Sequence, residues 1–174
     1  MLVQLFTLSV LLVIGWEDLR SRSVHWFWFP VLAVAFMAIR LIQGDTWPAI
    51  GLSGALSISF LLIQLLLVSL YFSLKARQWV NITAGLLGWG DVLLLFCLAL
   101  YLPLLNFIAF YVASLVLILL GWIVWRRRPA GEKTIPLAGL QALLFAAVLI
   151  TGGLYPDFAL TNETVLLSWM TTWM

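Results

Sequence analysis

The chain contains 174 residues, of which 64% are hydrophobic and only 9% are charged. A water-soluble domain is about 45–50% apolar and about 25% charged, so this composition excludes a soluble globule and indicates a single integral membrane domain. The net charge of +2 is too small to indicate a nucleic-acid partner. The one cysteine, Cys97, excludes a disulfide framework and a cysteine-based zinc site, and we expect neither a metal nor another cofactor.

Six apolar stretches predict transmembrane helices, because a hydrocarbon core about 30 Å thick is crossed by roughly 20 helical residues. In chain order they cover residues 2–16, 26–42, 47–72, 91–103, 104–125 and 135–153. The predicted fold is therefore all-α, with a polytopic six-span domain over residues 1–153. The less apolar segment 154–174 contains Trp169 and Trp173 and is predicted to be a C-terminal tail at the membrane interface, where tryptophan is enriched.

The positions of the basic residues predict the orientation of these spans. Eight of the nine Lys and Arg residues lie in the loops after spans one, three and five, and only Arg40 falls toward the other face. The eight are Arg20, Arg22, Lys75, Arg77, Arg126, Arg127, Arg128 and Lys133. Because cytoplasmic loops carry the excess of Lys and Arg, this face is predicted to be cytoplasmic. We expect a multi-pass protein of the plasma (inner) membrane with both termini outside.

Three of the seven acidic residues adjoin apolar spans on the predicted cytoplasmic face: Glu17, Asp18 and Asp91. Carboxylates at membrane depth are costly and tend to mark function. The other four lie in turn or loop contexts, where a solvated surface position is the expected role. These four are Asp45, Glu132, Asp157 and Glu163.

Two readings of Asp18 and Asp91 stay open at this point. Asp91 follows Gly88-Trp89-Gly90 and opens an apolar run, so it could simply cap a helix, as aspartate does well. Asp18 could be a loop carboxylate paired with a neighbouring arginine. Alternatively, two aspartates at one membrane edge are the minimum set for aspartic proteolysis, in which one carboxylate is the general base and the other stays protonated. In that case the two carboxyl groups must approach each other closely.

Three segments resemble the type IV prepilin peptidases and archaeal preflagellin peptidases, which are intramembrane aspartic proteases of the Gly-x-Gly-Asp type. DLRSRSV at 18–24 is similar to the family's segment after the first catalytic span, GWGDV at 88–92 to the signature of the second catalytic aspartate, and IPLA at 135–138 to the opening of the last span. The resemblance extends over about residues 2–153. It differs from the family at His25-Trp26, where Pro-Asn is usual, and at Leu93, where lysine is common.

The resemblance implies an aspartic endopeptidase with Asp18 and Asp91 as catalytic residues and with Gly88, Gly90, Arg22 and Pro136 as supporting motif residues. Its implied partners are prepilin-like proteins, cleaved at the cytoplasmic membrane edge between a short basic leader and a hydrophobic segment. The cysteine-containing methyltransferase region of the longer family members has no counterpart here. The oligomeric state is left open by the sequence.

Two alternatives belong to other functional classes. A catalytically silent scaffold or assembly factor of the same fold would account for the departures at His25, Trp26 and Leu93. A small transporter or channel subunit would account for charged residues at span ends, but it predicts more polar residues within spans than Gln64, Asn106 and Gln141.

The predicted topology can be tested with reporter fusions. A fusion at Arg127 should report a cytoplasmic location and a fusion at Met174 an external one, because an odd number of spans precedes the first and an even number the second. Finding both positions on the same side of the membrane would remove the basis for placing both aspartates at the cytoplasmic edge.

Overall fold

The computed structural model describes residues 2–77, 88–125, 136–154 and 161. Across these residues the chain is entirely α-helical, with no strand. The helices are α1 (Leu2–Ser21), α2 (Trp28–Ile42), α3 (Trp47–Ala76), α4 (Trp89–Tyr101), α5 (Leu104–Trp125) and α6 (Leu137–Leu154). The arginine-rich loop at 126–133, Ile135 and nearly all of the predicted tail at 154–174 lie outside the described residues.

Three of these helices are long and apolar enough to cross a membrane, namely α1, α3 and the Leu104–Gly121 part of α5. The helices α2, α4 and α6 are apolar but shorter. The predicted end of the first span at residue 16 is wrong, because α1 continues to Ser21. It ends where Arg22 adopts a left-handed conformation with φ of 52°, while the Arg22 N–H still donates to the Asp18 carbonyl at 2.9 Å. Asp18 therefore lies within the last turn of α1.

The core of the bundle is built around α4, whose Leu94, Leu95 and Leu98 are almost completely buried. This helix packs against α2 and α3, and α1 packs against α2 and α6. An aromatic cluster fills the centre: Phe36 and Tyr101 stack with ring centroids 4.7 Å apart, and Phe145 meets Phe36 edge-on at 5.5 Å. Such ring contacts stabilise the fold beyond what the burial of each ring contributes, and they join α2, α4 and α6.

One end of the bundle is held by a buried arginine. Arg40, at the end of α2, is only 3% exposed. Its Nε donates to Asp45 Oδ2 at 2.7 Å, and its Nη1 donates to Ser53 Oγ at 2.6 Å and to the Leu100 carbonyl at 3.3 Å. The expectation that Asp45 is merely solvated is therefore wrong, because a buried guanidinium needs a charged partner. This Arg40 end joins the end of α2, the start of α3 and the end of α4.

Candidate aspartate site

Asp18 lies at the opposite end of the bundle, which we call the Asp18 end. Its residue is 8% exposed, and its Oδ2 accepts a hydrogen bond of 2.6 Å from the backbone N–H of Gly139. Gly139 is in the first turn of α6, where backbone N–H groups have no partner within the helix. The carboxylate of α1 thus occupies the N-terminus of α6, a position suited to anions.

This bond depends on a close crossing of α1 and α6 at two glycines. A Cβ placed on Gly139 would lie 2.9 Å from Asp18 Cβ and 3.1 Å from the Gly15 carbonyl oxygen. A Cβ placed on Gly15 would lie 2.9 Å from the Leu143 side chain. A larger residue at either position would push the helices apart. The absence of a Cβ at both glycines therefore allows Asp18 to reach the Gly139 amide.

Asp91 lies in the first turn of α4 and accepts a hydrogen bond within its own helix end. Its Oδ2 accepts the backbone N–H of Gly88, the N-cap residue, at 3.1 Å. This is the half of a capping box that a carboxylate at the third helical position supplies. The capping role considered from the sequence is thus present, and it fixes the direction in which the carboxylate points.

The first turn of α6 brings the two aspartates together. Asp18 accepts the Gly139 N–H in this turn, and the Asp91 carboxylate is close enough to the Ala138 amide and to Asp18 to interact with both electrostatically. A Cβ placed on Gly90 would lie 4.0 Å from Ala138 Cβ, so α4 and α6 are in contact at this level. Two neighbouring aspartates can divide the roles of general acid and general base when their carboxyl groups approach closely enough to share a proton or a water molecule.

The supporting motif residues surround this pair in different ways. Gly90 faces Phe29, whose Cζ would lie 3.8 Å from an added Cβ. Pro136 directly precedes α6 and its carbonyl accepts the Leu140 N–H at 3.2 Å. Arg22 is exposed in the loop after α1 and keeps the chain close to Asp18 through its backbone bond.

Sequence reasoning missed Glu17 as a structural residue. Its Oε2 accepts the backbone N–H of His25 and contacts the His25 Nδ1, both at 3.1 Å, and its Oε1 accepts the Trp28 indole N–H at 3.3 Å. His25, the only histidine in the sequence, is therefore hydrogen-bonded to a carboxylate across the turn after α1. Because α1 ends at Ser21, between Glu17 and His25, the turn between α1 and α2 creates this contact.

Other candidate chemistry is sparse. Among the residues that the structure describes, no three His, Cys, Asp or Glu side chains gather as a metal site would require. Cys97 is buried, and its thiol donates to the Phe29 carbonyl at 3.3 Å. The pair of aspartates is therefore the constellation on which a functional interpretation rests.

Comparison of the chain with protein-family models, with curated proteins and with solved structures found no match.

Substitution of Gly139 by alanine should destabilise the protein and displace Asp18, because the new methyl group would overlap Asp18 and the Gly15 carbonyl. Overpacking of this kind costs about 1–3 kcal/mol. The measurement is the thermal unfolding midpoint in detergent. Gly121→Ala on α5 is the matched control, because an added Cβ there meets nothing within 4 Å. Equal midpoints for both variants would contradict the close crossing of α1 and α6.

Proposed function

We propose that this chain is an intramembrane aspartic endopeptidase with six transmembrane helices that cleaves the leader peptides of prepilin-like proteins at the cytoplasmic edge of the plasma (inner) membrane. The observation that carries the proposal is that both aspartates lie beside the first turn of α6: Asp18 accepts the Gly139 N–H at 2.6 Å, and a Cβ on Gly90, the residue before Asp91, would lie 4.0 Å from Ala138 Cβ. The resemblance of segments 18–24, 88–92 and 135–138 to the prepilin peptidases supplies the substrate class.

Exposed tryptophans support a position at the membrane edge. Trp16 and Trp89 each precede one of the aspartates by two residues, and Trp26 lies in the turn between α1 and α2; all three are exposed. Tryptophan favours the boundary between lipid and water. In the proposed orientation these three rings mark that boundary at the Asp18 end, so the aspartates are within reach of both water and a membrane-embedded substrate.

The length of α4 also supports a position of Asp91 at the membrane edge. Its 13 residues span about 20 Å, less than the hydrocarbon core of about 30 Å. The helix is shielded by α2 and α3, so its ends need not reach both surfaces. In a six-span arrangement, a short α4 is consistent with Asp91 at or just inside the membrane edge rather than in the water beyond it.

The proposed reaction uses one carboxylate as general base on a water molecule and the other, protonated, as the donor to the scissile carbonyl oxygen. The water attacks the carbonyl carbon as the base removes one of its protons and the acid protonates the carbonyl oxygen. The tetrahedral intermediate collapses when the base passes its proton to the leaving nitrogen, the C–N bond breaks, and the other carboxylate takes back a proton from a hydroxyl of the intermediate. The bonds from Gly139 and Gly88 both use Oδ2 of the respective aspartate. They fix each carboxylate before substrate arrives, and such preorganisation favours the charged transition state.

A silent scaffold is the second candidate, and a specific observation favours it. Both aspartates already have structural partners, since Asp91 caps α4 and Asp18 joins α1 to α6. A scaffold would use these bonds to order its helices and would need no proton exchange. The two candidates therefore predict opposite outcomes when the charge of either aspartate is removed without changing its shape.

Asp18→Asn and Asp91→Asn should each abolish cleavage while leaving the protein folded. Asparagine keeps an oxygen that can accept the Gly139 or Gly88 N–H, but it can neither take a proton from water nor donate one as a carboxylic acid does. Loss of a general acid or base lowers the rate by about 100- to 10,000-fold. The measurement is the mass shift of a prepilin-like substrate in proteoliposomes, with Asp157→Asn as the charge-matched control. Near wild-type cleavage by either site variant would refute the two-aspartate mechanism.

Arg22 can be tested separately from its effect on folding. Both Arg22 and Arg77 follow a helix with positive φ, 52° and 53°, and glycine adopts this conformation without the strain of about 1–2 kcal/mol that a side chain brings. Arg22→Gly and Arg77→Gly should therefore both retain or raise the unfolding midpoint. If the Arg22 guanidinium assists the site, only Arg22→Gly slows cleavage. Equal cleavage rates in both variants would show that Arg22 has no part in the reaction.

A further inference from the structure

Glu17 collects more hydrogen bonds than a carboxylate that merely contributes to surface charge. It lies next to Asp18 in the last turns of α1, and its side chain is 24% exposed. Three donors from the following segment converge on it: the His25 backbone N–H, the His25 ring and the Trp28 indole N–H. Two of them use Oε2 and one uses Oε1, so both oxygens are engaged.

The start of α2 depends on these bonds. Its N-cap residue is Phe27, which has no side-chain cap hydrogen bond, although a helix normally gains stability from a polar side chain at this position. Glu17 holds the segment from outside the helix instead, through His25 before the cap and Trp28 at the first helical position. Together with a backbone bond of 3.2 Å from the Trp28 N–H to the His25 carbonyl, the carboxylate of α1 holds the first turn of α2.

The first turn of α2 in turn touches α4 beside Asp91. Phe29 is buried, and its ring lies 3.8 Å from the Cβ position of Gly90, the residue that precedes Asp91. The Phe29 carbonyl also accepts the Cys97 thiol at 3.3 Å, two turns further along α4. Phe29 therefore contacts α4 at two positions, Gly90 and Cys97. A displacement of α2 would move the start of α4 and with it Asp91.

We propose that Glu17 is a positioning residue that sets the separation of Asp18 and Asp91 by holding α2 against α1 and, through Phe29, against the Gly90-Asp91 turn. This inference rests on the proposed peptidase function. It assigns Glu17 no contact with substrate or with the reacting atoms. Glu17 and Asp18 are adjacent in one helix, so the same turn of α1 fixes one aspartate directly and the other through α2.

The kinetic test compares Glu17→Ala and Glu17→Gln with the single-donor variants His25→Ala and Trp28→Phe. Small misplacements of reacting groups can cost as much as about 100-fold in rate, so we expect Glu17→Ala to lower kcat by about tenfold or more and to change KM less than about twofold. The single-donor variants should each have smaller effects. Glu132→Gln is the control that removes the same charge from the same predicted face, and it should leave kcat unchanged.

A distance measurement tests the positioning without relying on cleavage. Nitroxide labels at positions 16 and 89, both exposed tryptophans in the wild-type chain, report the separation of the ends of α1 and α4 by pulsed electron spin resonance. We expect a narrow distribution in the protein with Glu17 and a broader or shifted one in Glu17→Ala. An unchanged distribution, an unchanged kcat, or an equal loss in Glu132→Gln would overturn the proposal. If the chain with Glu17 cleaves no prepilin-like substrate, the peptidase function fails, and the distances still decide whether Glu17 positions the aspartates.

Discussion

The hydrogen bond from the Gly139 N–H to Asp18 Oδ2, 2.6 Å long, is the interaction on which the arrangement of this bundle depends. A carboxylate buried in an apolar environment is strongly disfavoured unless polar groups replace its water, and the N-terminus of a helix offers unpaired amides for that purpose. The amide of α6 can reach Asp18 only because Gly15 and Gly139 allow the two backbones to approach. The same approach places Ala138 beside Gly90, so Asp91 meets α6 as a consequence of how Asp18 is accommodated.

Polar contacts elsewhere specify which helices pair, a choice that apolar packing alone leaves weakly determined in a membrane. Arg40 joins α2 to α3 and α4. Ser57 of α3 donates to the Leu102 carbonyl at 3.0 Å. This carbonyl directly follows the end of α4 and precedes Pro103, so it needs a partner from outside the helix. Gln64 joins α3 to α5 through Tyr111 at 2.8 Å. Each of these bonds would be lost in a different helix order, and together they hold α4 in the centre, with its N-terminus at the Asp18 end.

The sequence predicts the number, type and approximate bounds of the described helices because each apolar stretch is bounded by charged, proline or glycine residues. It also places Asp91 at the start of a helix. The end of α1 was missed because Glu17 and Asp18 are polar, although backbone bonding continues through them to Ser21. The roles of Asp45, Glu17 and Gly139 could not be derived, because they depend on contacts between segments whose approach no local spacing reports. Gly139 is the clearest case, since its partner Asp18 lies on the first helix and Gly139 on the last.

The hydrogen bonds that Asp18 and Asp91 accept from helix ends bear on the choice between an enzyme and a scaffold. Asp91 is the third residue of α4 and Asp18 accepts an amide in the first turn of α6, and the dipole at a helix N-terminus stabilises a carboxylate at such positions. A scaffold can therefore use both carboxylates to order its helices, although two like charges at one site oppose each other unless a proton is shared. The amide bonds use one oxygen of each carboxylate for orientation, and this is what a pair engaged in proton transfer needs, because acid and base must be held in a defined direction before substrate arrives. Helix ordering accounts for both hydrogen bonds, and a shared proton would in addition relieve the repulsion between two like charges at one end of the bundle.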